Sequence, residues 1–211
     1  MPGTATDGTA ETAGTVLLTV ECQNGVVGER SALPELAASV RDSGTLERIA
    51  ALAVAARAAG IQVVHAVAER RPDGRGANTN ARLFRAAGRL PVRQLTGSEA
   101  VELAAPLTAA PEDLVVRRLH GLSPMAGTDL DPLLRNLGCR TLVVTGVSSN
   151  IAVPNTVFDA VNHGYAVVVP TDAVAGVPAA YTAEVLKHSL SLVAALTDTA
   201  ALLDRWTGAG R

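Results

Sequence analysis

The stretch Thr141-Leu-Val-Val-Thr-Gly-Val-Ser-Ser-Asn-Ile-Ala152 decides the fold. Its first five residues form an apolar, β-branched run, short enough to be a strand buried on both faces. Gly146 ends that run, Ser148, Ser149 and Asn150 make a turn, and a helical pattern continues to about Asn162. A strand passing through a glycine turn into a helix is the first half of a βαβ crossover.

The same alternation extends in both directions. Upstream, Thr128-Asp-Leu-Asp131 has the form of a capping box, with Asp131 in place of Glu or Gln, and opens a helix that ends at Gly138. Residues 15–21, 61–67 and 114–117 read as three further strands. Between the first two lies an Ala-rich helical pattern over residues 36–59, closed by Gly60. After the second come a Gly/Arg/Asn-rich loop, residues 70–80, and a short helical stretch through Ala87. Downstream, residues 165–169 read as a fifth strand and 181–195 as a last helix.

Strands alternating with helices imply a parallel sheet covered on both sides. The expected fold is therefore α/β: a single three-layer αβα domain, Rossmann-like, with a mainly parallel sheet over residues 15–211. No internal repeat or interdomain linker interrupts it. In such sheets ligands bind beyond the carboxyl ends of the strands. That rule alone selects residues 21–24, 69–71, 118–120 and 148–150.

Composition narrows the partners. Among 211 residues, 48% are hydrophobic and only 2% aromatic, so Ala, Val and Leu must build the core. Few aromatics argue against stacking on single-stranded nucleic acid. A net charge of −2 without a basic stripe argues against duplex binding. Residues 1–14 are Gly/Thr/Ala-rich, with neither a basic n-region nor an apolar core. They read as a disordered tail on a cytoplasmic protein that contacts no membrane. Cys22 and Cys139 are too few for a disulfide framework and read as small buried hydrophobes.

The strand ends carry a family resemblance, which runs from about Thr15 to Thr199. Leu17-Leu-Thr-Val-Glu-Cys-Gln-Asn24, Gly127-Thr-Asp-Leu130, the stretch from Thr141 to Ala152, and Tyr165-Ala-Val-Val-Val-Pro-Thr-Asp-Ala173 resemble segments of isochorismatase-like (cysteine hydrolase) proteins. The resemblance implies an Asp, Lys and Cys that make a thiolate attack a carbonyl. Here Glu21 stands at the Asp position and Ala152 at the Cys position, so the nucleophile is gone. The Lys position falls on Arg118 counting from Asp113, or on Leu119 counting back from Gly127; Arg118 is preferred, with one residue inserted in 121–125. The resemblance also implies an oxyanion site at the Ser148 turn, often around a cis peptide after Val147.

True isochorismatases also lack the cysteine, and their acidic residue is thought to protonate a vinyl ether carbon. That precedent makes Glu21 the candidate acid or base; the alternative is a carboxylate held in a structural salt bridge. Burial would raise its pKa, whereas a neighbouring Arg118 would lower it. Arg118 is either an anion clamp or a solvated strand-end residue; His120 is either an acid, base or donor, or simply exposed. Ser148, Ser149 and Asn150 offer backbone amides to an oxyanion or carboxylate, and Ser149 is a remote candidate nucleophile. Gln23 and Ala152 complete the expected substrate-contacting set with Arg71, one of four loop arginines (Arg70, Arg71, Arg75, Arg82) able to attract an anion. Gln23 and Asn24 alternatively tie down loop backbone. Cys22 should face away from Glu21, because successive strand residues alternate. His65, inside a strand, reads as a hydrogen-bonded core residue.

Nicotinamidases of the resembled superfamily carry an Asp-x-His and a nearby His; this sequence has no such pair, so the resemblance implies no metal site, and no cofactor is expected. The expected function is a cofactor-independent hydrolase or lyase acting on a small anionic metabolite without a covalent intermediate. The alternative is a pseudoenzyme that retains the fold as a binding or scaffolding protein. The resemblance further implies a homo-oligomer.

Overall fold

The computed structural model describes residues 12–208. Five strands lie where apolar runs predict them: β1 (Thr15–Val20), β2 (Gln62–Ala68), β3 (Leu114–Arg118), β4 (Thr141–Val147) and β5 (Ala166–Pro170). Two short strands, β6 (Val174–Ala175) and β7 (Ala195–Thr197), complete a seven-stranded sheet. Its order is β3-β2-β1-β4-β5-β7, with β6 also on β4, and each of these strand pairings is parallel.

The helices are α1 (Asn24–Val27), α2 (Pro34–Ser43), α3 (Thr45–Ala58), α4 (Arg82–Ala87), α5 (Leu130–Asn136), α6 (Ala152–Asn162), α7 (Ala179–His188) and α8 (Thr199–Thr207). Alternating residues of each central strand feed two cores, which makes three layers. Leu18, Val64 and Val144 pack with Leu134 of α5, Val157 of α6 and Leu186 of α7. Leu17, Val63 and Val143 pack on the opposite side with Val40 of α2, Leu52 of α3 and Trp206 of α8.

Four expectations change. The helix expected over 36–59 is two helices, because Gly44 turns left-handed (φ 65°) between α2 and α3. The helix expected over 181–195 ends at His188; β7 and α8 follow, the latter capped by the Asp198 carboxylate accepting from Ala201 N–H at 2.8 Å. The capping box at Thr128 does not close: Thr128 Oγ1 accepts from Leu130 N–H (3.1 Å), but Asp131 is occupied by Arg135 and Tyr165. Of the segment expected as a tail, residues 1–11 lie outside the described residues. Gly14 instead accepts from the backbone N–H groups of Arg140 (2.7 Å) and Thr141 (3.0 Å), so the ordered domain begins before Thr15.

Strand order reverses between β1 and β4, since β2 lies to one side of β1 and β4 to the other. This switch point opens a crevice at the carboxyl edge. Gly146 makes the junction possible. At φ 106° a Cβ there would sit 2.2 Å from the Val20 carbonyl oxygen, so only glycine lets β4 pass the end of β1.

Candidate active site

At the switch point β1 ends in Glu21, whose φ of 52° is left-handed, a conformation uncommon outside glycine. Such strain is retained where surrounding contacts over-determine it. Here Glu21 N–H donates to Ala66 O (2.9 Å) and Glu21 O accepts from Gln23 N–H (2.8 Å). The carboxylate accepts from Arg118 Nη2, the last residue of β3, and Arg118 Nη1 donates to Gly121 O at 3.3 Å. Arg118, rather than Leu119, is therefore the partner of Glu21. Its side chain is 6% exposed against 21% for Glu21.

Burial raises the Glu21 carboxyl above its ordinary value, and the Arg118 guanidinium pulls in the opposite direction. Arg118 spends its charge on Glu21, so the role of a free anion clamp expected of it is already partly filled.

The pair lines an open cavity of about 260 Å³. Arg118 and Ala152, both buried, form its floor with Glu21 and Ser148; exposed Leu83, Arg93 and His120 form its mouth. Ala152 opens α6 directly after the turn, and the Val147–Ser148 peptide is cis, as the resemblance implies. Among the described residues, nothing accepts from the backbone N–H of Ser148 or Ala152, both of which line the cavity. Two donors at a helix start suit a developing negative charge. His120 stands at the mouth with its ring against Gly127, whose Cβ would meet His120 Cε1 at 3.0 Å.

Four residues expected to contact substrate do not line the cavity. Gln23 is fully buried and spans the backbone: its Nε2 donates to Ala68 O (2.9 Å) and Val101 O (3.3 Å), and its Oε1 accepts from Ala68 N–H (2.9 Å). Ser149 Oγ is buried against Thr182 Oγ1 at 2.7 Å, and Asn150 brackets Val177 with two bonds, so both side chains shape the turn from behind. Arg71 pairs with Asp73 in solvent, 2.9 Å away, and does not line the cavity. Arg70 does, with Arg93 and the apolar side chains of Leu83, Phe84 and Leu90, none of which sequence reasoning singled out except Arg70.

Neither thiol lines the cavity. Cys22 is buried in the core on the α2–α3 side and its thiol is pushed up to about 12, first by burial and then by Glu21. Cys139 lies at the opposite end of β4, its thiol raised by burial to about 11. Thiols this weakly acidic supply almost no thiolate at neutral pH.

His65 forms a separate buried network. Its Nδ1 is 2.7 Å from Thr19 Oγ1 and its Nε2 is 3.1 Å from Asp113 Oδ2. The carboxylate only accepts, so Nε2 carries the proton and Nδ1 takes the Thr19 hydroxyl, which satisfies a neutral ring. Burial is the main reason the His65 pKa is lowered. Burial would raise Asp113, but Arg57, Ala110 N–H and His65 together outweigh it and hold its carboxyl low. Among the described residues, no three His, Cys, Asp or Glu side chains gather where they could hold a metal ion, and no helix is long and apolar enough to cross a membrane.

Comparison with known proteins agrees with this fold. Residues 15–201 match the isochorismatase domain family. A ureidoacrylate amidohydrolase, RutB, of Methylorubrum extorquens AM1 is 35% identical over 179 residues, covering 78% of this chain and 72% of that protein. Among solved structures, an isochorismatase family protein from Desulfovibrio vulgaris superposes with a TM-score of 0.80 at 26% identity, covering 94% of this chain and all of that one (100%). A cysteine hydrolase from Pseudomonas syringae shares the fold with a TM-score of 0.79 at 24% identity over 94% of each chain.

Proposed function

We propose, from the premise that this chain belongs to the isochorismatase family, that it is a hydrolase or lyase of a small anionic metabolite and works without a covalent intermediate. The observation that carries this reading is the Glu21–Arg118 pair on the floor of an open cavity, next to Ala152 at a start of helix that offers no nucleophile. Burial favours the protonated form of Glu21, which is the form that general acid catalysis uses. Glu21 gives its proton to the substrate as the scissile bond breaks, and Arg118 stabilises the carboxylate left behind. Water adds at the electrophilic carbon, and the proton it releases returns to Glu21. The N–H groups of Ser148 and Ala152 face the charge that develops on oxygen, and His120 holds the leaving portion at the mouth.

The reading requires no cofactor, since each proton has a residue to hold it. Its relative's name, ureidoacrylate amidohydrolase, supports ureido and other N-carbamoyl compounds as the first class to try. An open cavity favours an enzyme over a scaffolding pseudoenzyme, whose site would be free to fill with side chains. The test is a panel of vinyl ethers, small amides and N-carbamoyl acids, followed by mass spectrometry with wild type and Glu21→Gln. Turnover that disappears in Glu21→Gln while the fold is intact supports the reading. Turnover unaffected by the substitution rejects Glu21 as the acid.

A further inference from the structure

We infer that the cavity takes an amphipathic anion, with a carboxylate seated on Arg70 and Arg93 and an apolar body reaching down to Glu21. This builds on the reading above, in that Glu21 marks the reacting end.

The charge accounting points to the mouth. Arg118 is answered by Glu21, and Glu69, the other acid in the lining, is answered by Arg117 (3.3 Å) and Thr96 (3.2 Å). Arg70 and Arg93 line the same cavity, and among the described residues neither side chain makes an ion pair or hydrogen bond. Backbone bonds bring them to one wall: Arg70 N–H donates to Gln94 O (2.7 Å) and Thr96 N–H to Arg70 O (2.9 Å), which sets residue 70 beside the segment that carries Arg93. Arg70 then lies over Gly88, where a Cβ would come within 3.2 Å of its Nη2. Two uncompensated guanidinium groups lining one cavity favour an anion, and their forks suit a carboxylate.

The lining between mouth and floor is apolar. Helix α4 buries none of its residues; Leu83 is 51% exposed and Phe84 half-buried, and they line the cavity with Leu90, Leu119 and Leu122. Uncovered apolar surface inside a cavity is what a ligand covers. An exposed ion pair contributes little by itself, so a bare carboxylate binds weakly and the apolar body is needed to hold it.

Calorimetric titration tests this with three probes: 3-phenylpropanoate, its neutral analogue 3-phenylpropan-1-ol, and acetate. The wild type should bind the aryl acid about tenfold or more tightly than the alcohol, and more tightly than acetate. Arg70→Gln/Arg93→Gln should lose the preference for the acid while still binding the alcohol, which also reports an intact fold. Glu21→Gln should retain the preference. Equal affinity for acid and alcohol in the wild type, acetate bound as tightly as the aryl acid, or a preference unchanged in the double variant overturns the inference. Because binding is read without turnover, a wild type that turns over substrate yet shows no preference for the acid refutes the inference alone. A retained preference with no turnover across the panel refutes the catalytic reading alone.

Discussion

Replacing Asp113 by Ala should destabilise the protein by about 3–5 kcal/mol, the cost of leaving a buried charge without its partner. The carboxylate is fully buried, and it accepts from Arg57 Nε (3.1 Å), Arg57 Nη2 (2.6 Å), Ala110 N–H (2.8 Å) and His65 Nε2 (3.1 Å). Its removal strands a guanidinium that is only 18% exposed and a ring that is wholly buried. For a domain of this size the loss corresponds to roughly 6–20 °C in Tm. Asp73→Ala is the contrast, since its pair with Arg71 is 41% and 53% exposed and its loss should leave stability nearly unchanged. Urea unfolding followed by circular dichroism reads both. The pH dependence carries a sign. Asp113 has a depressed pKa, so its stabilisation is present above the unfolded value of 3.8 and is lost as pH falls through the folded one. His65, also depressed, adds to the loss as pH falls below 6.5, because the unfolded ring takes up a proton that the folded one refuses. A cost below about 1 kcal/mol for Asp113→Ala at pH 7 would refute this reasoning from the buried His65–Asp113–Arg57 network.

Gly146→Ala should cost about 3 kcal/mol or more, since its Cβ would meet a backbone oxygen at 2.2 Å in a left-handed conformation; thermal unfolding measures it. Ala152→Cys should place a thiol on the cavity floor that iodoacetamide alkylates at pH 7, whereas Cys22 and Cys139 stay unlabelled in peptide mass spectra. For any substrate found, kcat/KM should be level at low pH and fall as pH rises through a Glu21 pKa above 4.5, because the acid is the protonated form. A rate that instead climbs through that region would make Glu21 a base.

Much of the fold is legible because β1, β2, β4 and β5 are continuous apolar runs, and strands buried on both faces leave no other pattern. The break at Gly44 was hidden because Ala-rich helix continues on both sides of it, and only its left-handed φ separates α2 from α3. Strand β7 is three residues long, too short for periodicity, although Asp198 ahead of Thr-Ala-Ala was a readable cap for α8. In the site, the rule of strand ends brought together Glu21, Arg118, His120 and Ser148, and the resemblance added Ala152. It could not separate Ser148, which lines the cavity, from Ser149 and Asn150, which support it, because adjacent turn residues point in different directions. The arginines posed the same problem: Arg70 and Arg71 are neighbours, yet one lines the cavity and the other pairs with Asp73. Arg93 and the apolar wall come from an irregular segment that carries no sequence period. The Thr19–His65–Asp113–Arg57 network joins residues from four separate segments, and nothing local marks it.

The most direct test of the central claim is rapid-quench mass spectrometry of the intact protein during turnover, beside steady-state rates for wild type and Glu21→Gln. Catalysis by Glu21 without a covalent step predicts unmodified protein at every time point and a kcat/KM lowered by about 10²–10⁴ in Glu21→Gln. A transient mass increase on Ser148, Ser149 or Cys22, or a Glu21→Gln variant as fast as wild type, would contradict it.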